Sequence, residues 1–335
     1  MQVIRVRNVH EALVEGCYRL SSHGIDQDSR NGKVRMFPFP VTTTYTCPQE
    51  RVVFHPERDA NPFFHFFESL WMLAGRNDVD FVEQFNGGMV NYSDDGKVFN
   101  AAYGFRWRNH FGSDQLKTIA EALKTNPNCR RQVLAIWDGK HDLGLQSKDL
   151  PCNTQVYFQM ICGMLNMMVC NRSNDMVWGA YGANAVHFSY LQEYMACLIG
   201  CEVGEYHQVS MNLHLYLEHH GELMRTMAER APMPPEKRES PYGQLPLFPL
   251  MSIPHGRWQR ELSTFLEQPQ SSFTDPLFEH VAKPMYAAWR AYKDRLPNHF
   301  DQALQEIRSC AAADWQLACT EWLMRRKQKW MSRSS

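Results

Sequence analysis

A mixed α+β fold with a mainly helical tail is predicted by three features of the sequence. Two alternating apolar runs, TQVYFQMICG and MLNMMVCNRS over 154–173, meet near Gly163-Met164 and read as a hairpin or as sheet neighbours. Helical periodicity surrounds them, at 9–22, 62–75, 114–125 and 183–200. After a proline-dense stretch the pattern is helical only, at 274–293 and 298–330.

In order, VHEALVEGCYRLSS (9–22) has helical period, and RMFPFPVTTTYT (35–46) alternates as extended chain. PFFHFFESLWMLAG (62–75) is a mostly apolar helix, with Pro62 in its first turn and Gly75 at its end. RQVLAIW (131–137) is rich in strand formers. Gly200 stops the helix at 183–200, EVGEYHQVSMNLHLYL returns to strand, and 216–230 is helical. Seven of the 18 prolines lie between Pro232 and Pro254, so that stretch is a linker or a wrapping segment. Trp289, Trp315, Trp322 and Trp330 are expected packing residues of the tail. Its basic end, RRKQKW, reads as a solvated helix terminus favoured by the dipole. The expected division is a domain at 1–230, a Pro-rich linker at 231–256 and a helical extension at 257–335.

With 335 residues, 44% hydrophobic and 21% charged, the chain can bury a large core. Lys+Arg number 35 and Asp+Glu 36, a formal net charge of −1, so a nucleic-acid partner is not expected. No apolar run is long enough to cross a membrane, and MQVIRVRNVHEALVEG does not read as a signal peptide. The ten cysteines include no CxxC, and no metal site is expected. Most read as reduced core thiols of a cytoplasmic protein.

Cys152 stands apart. In Asp149-Leu150-Pro151-Cys152-Asn153 it follows a proline at the mouth of a strand, on a fixed backbone. A nucleophilic cysteine needs thiolate character, which nearby guanidinium groups supply. If the runs at 154–173 pair, their outer ends meet and Arg172 returns toward Cys152. A structural thiol and a surface arginine are the bland alternative. Arg130 and Arg131, adjacent at a strand start, face opposite sides. They suit a turn in solvent or an anion on a dimer partner. Arg30, in DSRNGKVR, lies in a loop that is either plain or closes on phosphate. His214 and Tyr216 share a strand face and suit a sugar hydroxyl or a core pair. Glu68, inside an apolar helix, is either paired or functional. WGAYGAN (178–184) is a Gly-broken loop from which the Asn184 amide could read a heterocycle edge.

The ordered set Arg30, FESLWMLAG, AAYGFRWR, CRRQVLAIW, LPCN, NRSND, WGAYGAN and LHLY closely resembles the thymidylate synthase family over about 1–230. Within it the chain is most like the pyrimidine (deoxyuridylate or deoxycytidylate) hydroxymethylases of phage type. The resemblance implies a three-layer α/β sandwich whose large mixed sheet is the face of a homodimer with shared active sites. It implies that Cys152 adds to C6 of the pyrimidine. Arg30, Arg172 and Ser173 then hold the nucleotide phosphate, and Arg130 and Arg131 reach the phosphate of the second copy. Asn184 bonds the base, after a one-residue insertion, and His214 and Tyr216 bond the sugar. Glu68 organises proton transfers, Tyr103 lies near the C5 proton, and Asp175 holds the pterin of 5,10-methylenetetrahydrofolate, the co-substrate. A cytoplasmic setting is implied, the host's if the protein is phage-encoded.

The chemistry fits those types. Thiolate addition at C6 gives an enolate, which lets C5 attack the one-carbon unit. An amide donor stabilises the charge on O4. Loss of the C5 proton leaves an exocyclic methylene, which takes hydride from folate to give methyl, or water to give hydroxymethyl.

Four departures from the family pattern touch the folate pocket or its seal. Asn153 replaces the usual His, and Met89 and Tyr92 stand where indoles are common. Ala180-Tyr181-Gly182-Ala183 replaces a Pro-Phe pair, and the closing C-terminal segment is not recognisable. They favour formation of 5-hydroxymethyl-dUMP over an ordinary thymidylate synthase. Asn184 favours uracil, whereas cytosine-specific members tend to carry Asp. A dCMP or CMP hydroxymethylase is the remaining choice of base. His187, one turn beyond Asn184, either reaches the base or packs the helix. A scaffold with a retired site is the reading from another class, and a methylase using another donor a third. The joint presence of Cys152, Arg172, Asp175 and Asn184 speaks against a retired site.

Overall fold

The structure is a computed structural model that describes residues 1–231, 240–294 and 296–334. Part of the expected Pro-rich linker, 232–239, lies outside the described residues. Strands β1 (Gln2–Val6), β4 (Val41–Tyr45), β5 (Val133–Ala135), β6 (Asn153–Ile161), β7 (Met164–Asn171) and β9 (Glu202–Ser210) form a mixed sheet in the order β1-β4-β9-β7-β6-β5. β1 and β4 run parallel, as do β7 and β9, and the other neighbours are antiparallel. The predicted hairpin is β6–β7. Its turn residues Cys162 and Gly163 have φ of 51° and 80°, the pair of left-handed residues that a two-residue connection favours. That register sets Asn153 opposite Asn171, so Cys152 and Arg172 meet at the open end.

A second, smaller sheet was not foreseen. It contains β2 (Ile25–Ser29), β3 (Gly32–Met36), β8 (Asn174–Asp175) and β10 (Leu213–Tyr216) in the order β2-β3-β10-β8. The expected loop around Arg30 is the tip of the β2–β3 hairpin, with Ser29 opposite Gly32. The expected single strand after Gly200 divides between the sheets. Met211 N–H donates to Asn171 O (2.9 Å) and Asn174 N–H to Asn212 O (2.8 Å), which turns the chain at 211–212.

The described helices are α1 (Val9–His23), α2 (Pro62–Leu73), α3 (Val79–Glu83), α4 (Tyr103–Phe105), α5 (Gln115–Thr125), α6 (Asn184–Ile199), α7 (Leu217–Arg230), α8 (His255–Glu267), α9 (Lys283–Asp294), α10 (His299–Ile307) and α11 (Ala313–Ser334). Their ends follow local chemistry. Asn8, Asn61 and Asp114 accept backbone N–H groups at the starts of α1, α2 and α5. Gly75 and Gly200 take positive φ just past α2 and α6.

All twelve residues of α2 are buried, as expected of a helix apolar on every side. One face meets the tail. Phe63 packs on Trp289 (5.3 Å between ring centroids) and Trp322 (5.8 Å), Phe66 on Trp315 (5.3 Å), and Phe67 on Phe265 (6.1 Å). The other face, with Phe64, Glu68, Trp71 and Met72, lines a cavity.

The tail differs from expectation in three places. α8 was not foreseen, because the proline run ends only at its cap, Pro254. It buries Trp258, Leu262, Phe265 and Leu266 at helical spacing. The helical period over 298–330 is broken at 308–312, between α10 and α11. Trp330 is half-exposed, against His299 and Phe300, whereas Trp289, Trp315 and Trp322 are buried. In the basic terminus, Arg325, Arg326 and Lys329 converge on Asp59. Residues 240–254 wrap the core: Tyr242 Oη accepts from Val52 N–H (2.8 Å) and donates to Asp314 (3.2 Å), and Leu250 N–H donates to Glu193 (3.0 Å).

Gly104 lets α4 press on α2, since a Cβ there would lie 1.9 Å from the Met72 carbonyl oxygen. Gly104→Ala is expected to destabilise the fold by about 1–3 kcal/mol, the usual range for overpacking, read as a lower urea midpoint at unchanged slope.

Candidate active site

The cavity beside α2 holds about 300 Å³, a size suited to a small ligand. Each wall comes from a different element. α2 gives Glu68, the start of α4 gives Tyr103, the turn before β6 gives Cys152, β8 gives Asp175, and the first residue of α6 is Asn184. The five residues expected to act on the pyrimidine or the folate therefore share one cavity, though up to 116 positions separate them in sequence (Glu68 to Asn184).

Arg172 fixes the turn that carries the thiol. Its Nε donates to Pro151 O (2.9 Å), its Nη2 to Leu150 O (3.2 Å), and Nη2 lies 4.0 Å from Cys152 Sγ. Its guanidinium also covers the Trp137 ring at 5.7 Å. The expectation of a thiol lowered by arginine is only partly met. Burial pushes the Cys152 thiol above its ordinary value. Arg172 pulls it down, and Asp149 and Asp175 add to the rise. Asp149 is itself raised to about 6 by burial, although Ala101 N–H donates to its Oδ2 at 2.7 Å. Burial likewise raises the Tyr103 hydroxyl, with Cys152 and Asp149 adding to the effect.

Asp175 is held as a cap. Its Oδ1 accepts from Val177 N–H (2.8 Å) and Trp178 N–H (3.0 Å) at the start of the helical turn Met176–Ala183. That turn kinks at Tyr181 and Gly182 before α6 begins. Tyr181 faces the core, where its hydroxyl lies 3.0 Å from Thr43 Oγ1. The kink delivers Asn184 to the cavity, in a row of amides. Asn153 Nδ2 donates to Asn184 Oδ1 (3.4 Å), Asn184 Nδ2 to Asn174 Oδ1 (3.1 Å), and Asn174 Nδ2 to Gln208 Oε1 (2.7 Å) and Ser210 Oγ (3.2 Å). Asn153 thus serves the site from behind Asn184.

The seven residues expected to hold phosphate or sugar do not line this cavity. Arg172 borders it through Cys152, and Ser173 lies between Arg172 and Asn174. His214 pairs in register with Asp175, and its ring is 5.3 Å from that of Tyr216. Burial lowers the His214 pKa, and Asp175 opposes this. Arg30 is exposed at its hairpin tip, and Arg130 and Arg131 are exposed ahead of β5, the last strand of the large sheet.

Sequence reasoning left out Asp149, Asn174, Trp71 and Trp178 as cavity residues, and Arg106 as a support. Arg106, fully buried, makes two bonds to Asp142 (2.6 and 2.8 Å) and holds the Asn100 carbonyl, bracing the wall that carries Tyr103. His187 lines the cavity. Its place one turn after Asn184 was the available signal. Met89 and Tyr92 line it too, and among the described residues none beyond His187 does. The described residues contain no group of three His, Cys, Asp or Glu able to hold a metal ion, and no helix long and apolar enough to cross a membrane.

Known proteins resemble this chain closely. A family model described as thymidylate synthase matches residues 12–240. A deoxyuridylate hydroxymethyltransferase of Pseudomonas phage M6 is 53% identical over the whole chain and 97% of its own length. The deoxyuridylate hydroxymethyltransferase of Bacillus phage SP01 is 42% identical over 54% of this chain and 50% of its own. A putative thymidylate synthase of Methanothermobacter marburgensis is 39% identical over 44% of this chain and 61% of its own. Residues beyond 240 lie outside the family match but inside the alignment with the Pseudomonas phage protein.

Two outcomes are expected. Since the Cys152 thiol is raised, its thiolate fraction at neutral pH is below that of an ordinary thiol. Its alkylation by iodoacetamide, followed by peptide mass, should keep rising with pH beyond 9, and should be slower still in Arg172→Ala. A Cβ at residue 179 would lie 2.5 Å from Asn174 Oδ1 and 3.1 Å from Asn184 Nδ2. Gly179→Ala should displace the amide row and lower kcat/KM at least about tenfold, the cost of roughly one misplaced hydrogen bond.

Proposed function

This chain belongs to the thymidylate synthase family, and from that premise we propose that it hydroxymethylates deoxyuridylate at C5, with 5,10-methylenetetrahydrofolate as the one-carbon donor. The observation that carries the reading is the convergence of Cys152, Asn184 and Glu68 on one cavity, beside a guanidinium 4.0 Å from the sulfur. Cys152 adds to C6 of the pyrimidine and makes C5 nucleophilic. The raised thiol suits a nucleophile that is protonated in the free protein and loses its proton as substrate seats.

Asn184 holds the base edge. Its carboxamide is oriented by Asn153 and Asn174, so its orientation is set before substrate arrives. Tyr103 stands by the C5 proton and Glu68 organises the proton transfers. Asp175, anchored as a cap, takes the pterin, and the aromatic rings of Trp71 and Trp178 offer flat apolar surface beside it. Arg172, Ser173 and Arg30 hold the phosphate, His214 and Tyr216 the sugar. Arg130 and Arg131, exposed in one copy, reach the phosphate of the other in a homodimer with shared sites. The setting is cytoplasmic, the host's if the protein is phage-encoded.

Product choice follows from water access. An electrophilic methylene reacts with the donor that reaches it first. No described residue of the C-terminal tail lines the cavity, and the tail aromatics pack on the far face of α2. This supports entry of water at the step where a sealed site would favour hydride.

With dUMP and 5,10-methylenetetrahydrofolate, the expected product has the mass of 5-hydroxymethyl-dUMP, with no dihydrofolate absorbance. Thymidylate accompanied by dihydrofolate would show the synthase reaction instead. Cys152→Ala should abolish product and tritium release from [5-³H]dUMP. Asn184→Asp should shift the dCMP-to-dUMP ratio of kcat/KM at least about tenfold toward cytosine, as one exchanged donor or acceptor implies. An unchanged ratio would remove Asn184 from base recognition.

A further inference from the structure

The wall of the cavity behind Asn184 carries a pair of groups that the proposed chemistry has not yet used together. His187 lies one turn along α6 from Asn184, on the same face. It is 2% exposed, and Glu68 on α2 is 7% exposed. His187 Nε2 comes within 3.1 Å of Glu68 Oε2. The contact lacks hydrogen-bond geometry, so Glu68 Oε2 and both imidazole nitrogens have no hydrogen-bond partner. Three such atoms at one buried spot are costly. Groups of this kind are normally satisfied by a bound water, which needs two to four polar partners. Both residues border the cavity that holds Cys152, so a water bonded to the pair from the cavity side faces the pyrimidine.

We propose that His187, together with Glu68, holds and deprotonates the water that adds to the exocyclic methylene. The inference rests on the hydroxymethylase reading above. The water oxygen forms a bond to the methylene carbon as its proton passes to the His187–Glu68 pair. The methylene π electrons move into the ring as the C4 enolate. That enolate then collapses, re-forming the C4 carbonyl and the C5–C6 double bond while the C6–S bond breaks and Cys152 leaves as thiolate. The proton held by the pair returns to solvent. No electrons are gained or lost overall, and folate departs unoxidised.

His187 thereby assigns a physical origin to the product. A site that only admits water would let any small nucleophile compete on its own reactivity and concentration. A site that orients and activates one water gives that water an advantage, commonly 10²–10⁴-fold for a positioned base. This advantage is measurable inside a single turnover, as a ratio between two products of the same intermediate.

The experiment uses the full-length protein with dUMP, 5,10-methylenetetrahydrofolate and a fixed concentration of 2-mercaptoethanol as competing nucleophile. The products, 5-hydroxymethyl-dUMP and the 5-thioether, are separated and weighed. In His187→Ala the hydroxymethyl-to-thioether ratio is expected to fall at least about tenfold. The KM for dUMP should change much less than kcat. His187→Gln, which retains a donor and an acceptor, should recover part of the ratio. Because the ratio counts only molecules that turned over, partial loss of folded protein does not alter it. If Ala does not fold, Gln is read against wild type in the same way and still must lower the ratio. An unchanged ratio in the variant that folds overturns the assignment of His187. Absence of both products, and of tritium release, from the wild-type protein would instead overturn the hydroxymethylase reading itself.

Discussion

Burial of α2 on both faces is the constraint on which the site depends. Twelve consecutive residues, Pro62–Leu73, are out of solvent, so the helix has no free side on which to drift. Phe63, Phe66 and Phe67 are gripped by rings from the tail. The opposite face then has one place to go, and it carries Glu68 into the cavity. There His187 approaches the carboxylate at 3.1 Å, and Glu68 Oε2 is left without a hydrogen-bond partner, a costly arrangement for a buried group. The C-terminal helices therefore act on the chemistry from behind, by fixing the wall that presents it.

A second constraint concerns the thiol. Proximity of arginine is commonly enough to argue an acidic cysteine. Here Arg172 gives most of its hydrogen bonds to the carbonyls of Leu150 and Pro151. Its pull on the sulfur is outweighed by burial and by two aspartates. Arg172 is consequently as much a clamp on the Pro151–Cys152 turn as an electrostatic partner. Burial, more than the clamp, sets the acidity of the thiol, which fits the addition chemistry proposed for it.

Around these two groups the polar residues form rows with little freedom. The amides of Asn153, Asn184 and Asn174 pass donors and acceptors along to Gln208 and Ser210. Gly179 leaves room for that row. Such networks specify one arrangement when every member is satisfied. The row is not complete, since Asn153 Oδ1 has no hydrogen-bond partner, and the Glu68–His187 contact beside it leaves three atoms over; unsatisfied groups of this kind that border a cavity mark a place for a small polar ligand.

Much of the fold could be read from local pattern. The β6–β7 hairpin, the helices at α1, α2, α5 and α6, and the meeting of Cys152 with Arg172 follow from periodicity and turn chemistry, which act over a few residues. The five cavity residues were legible through the spacing of family motifs along the chain, and Arg172, through strand pairing, needed no more than arithmetic. What the tertiary structure alone decided was long-range. The split of the strand after Gly200 between two sheets depends on backbone bonds to Asn171 and Asn174. The start of α8 was hidden by prolines whose local meaning is merely to break structure. The raised thiol, the buried support of Arg106 by Asp142, and the approach of His187 to Glu68 each require elements far apart in sequence to pack together. Burial and desolvation are properties of that packing, and no window of sequence contains them.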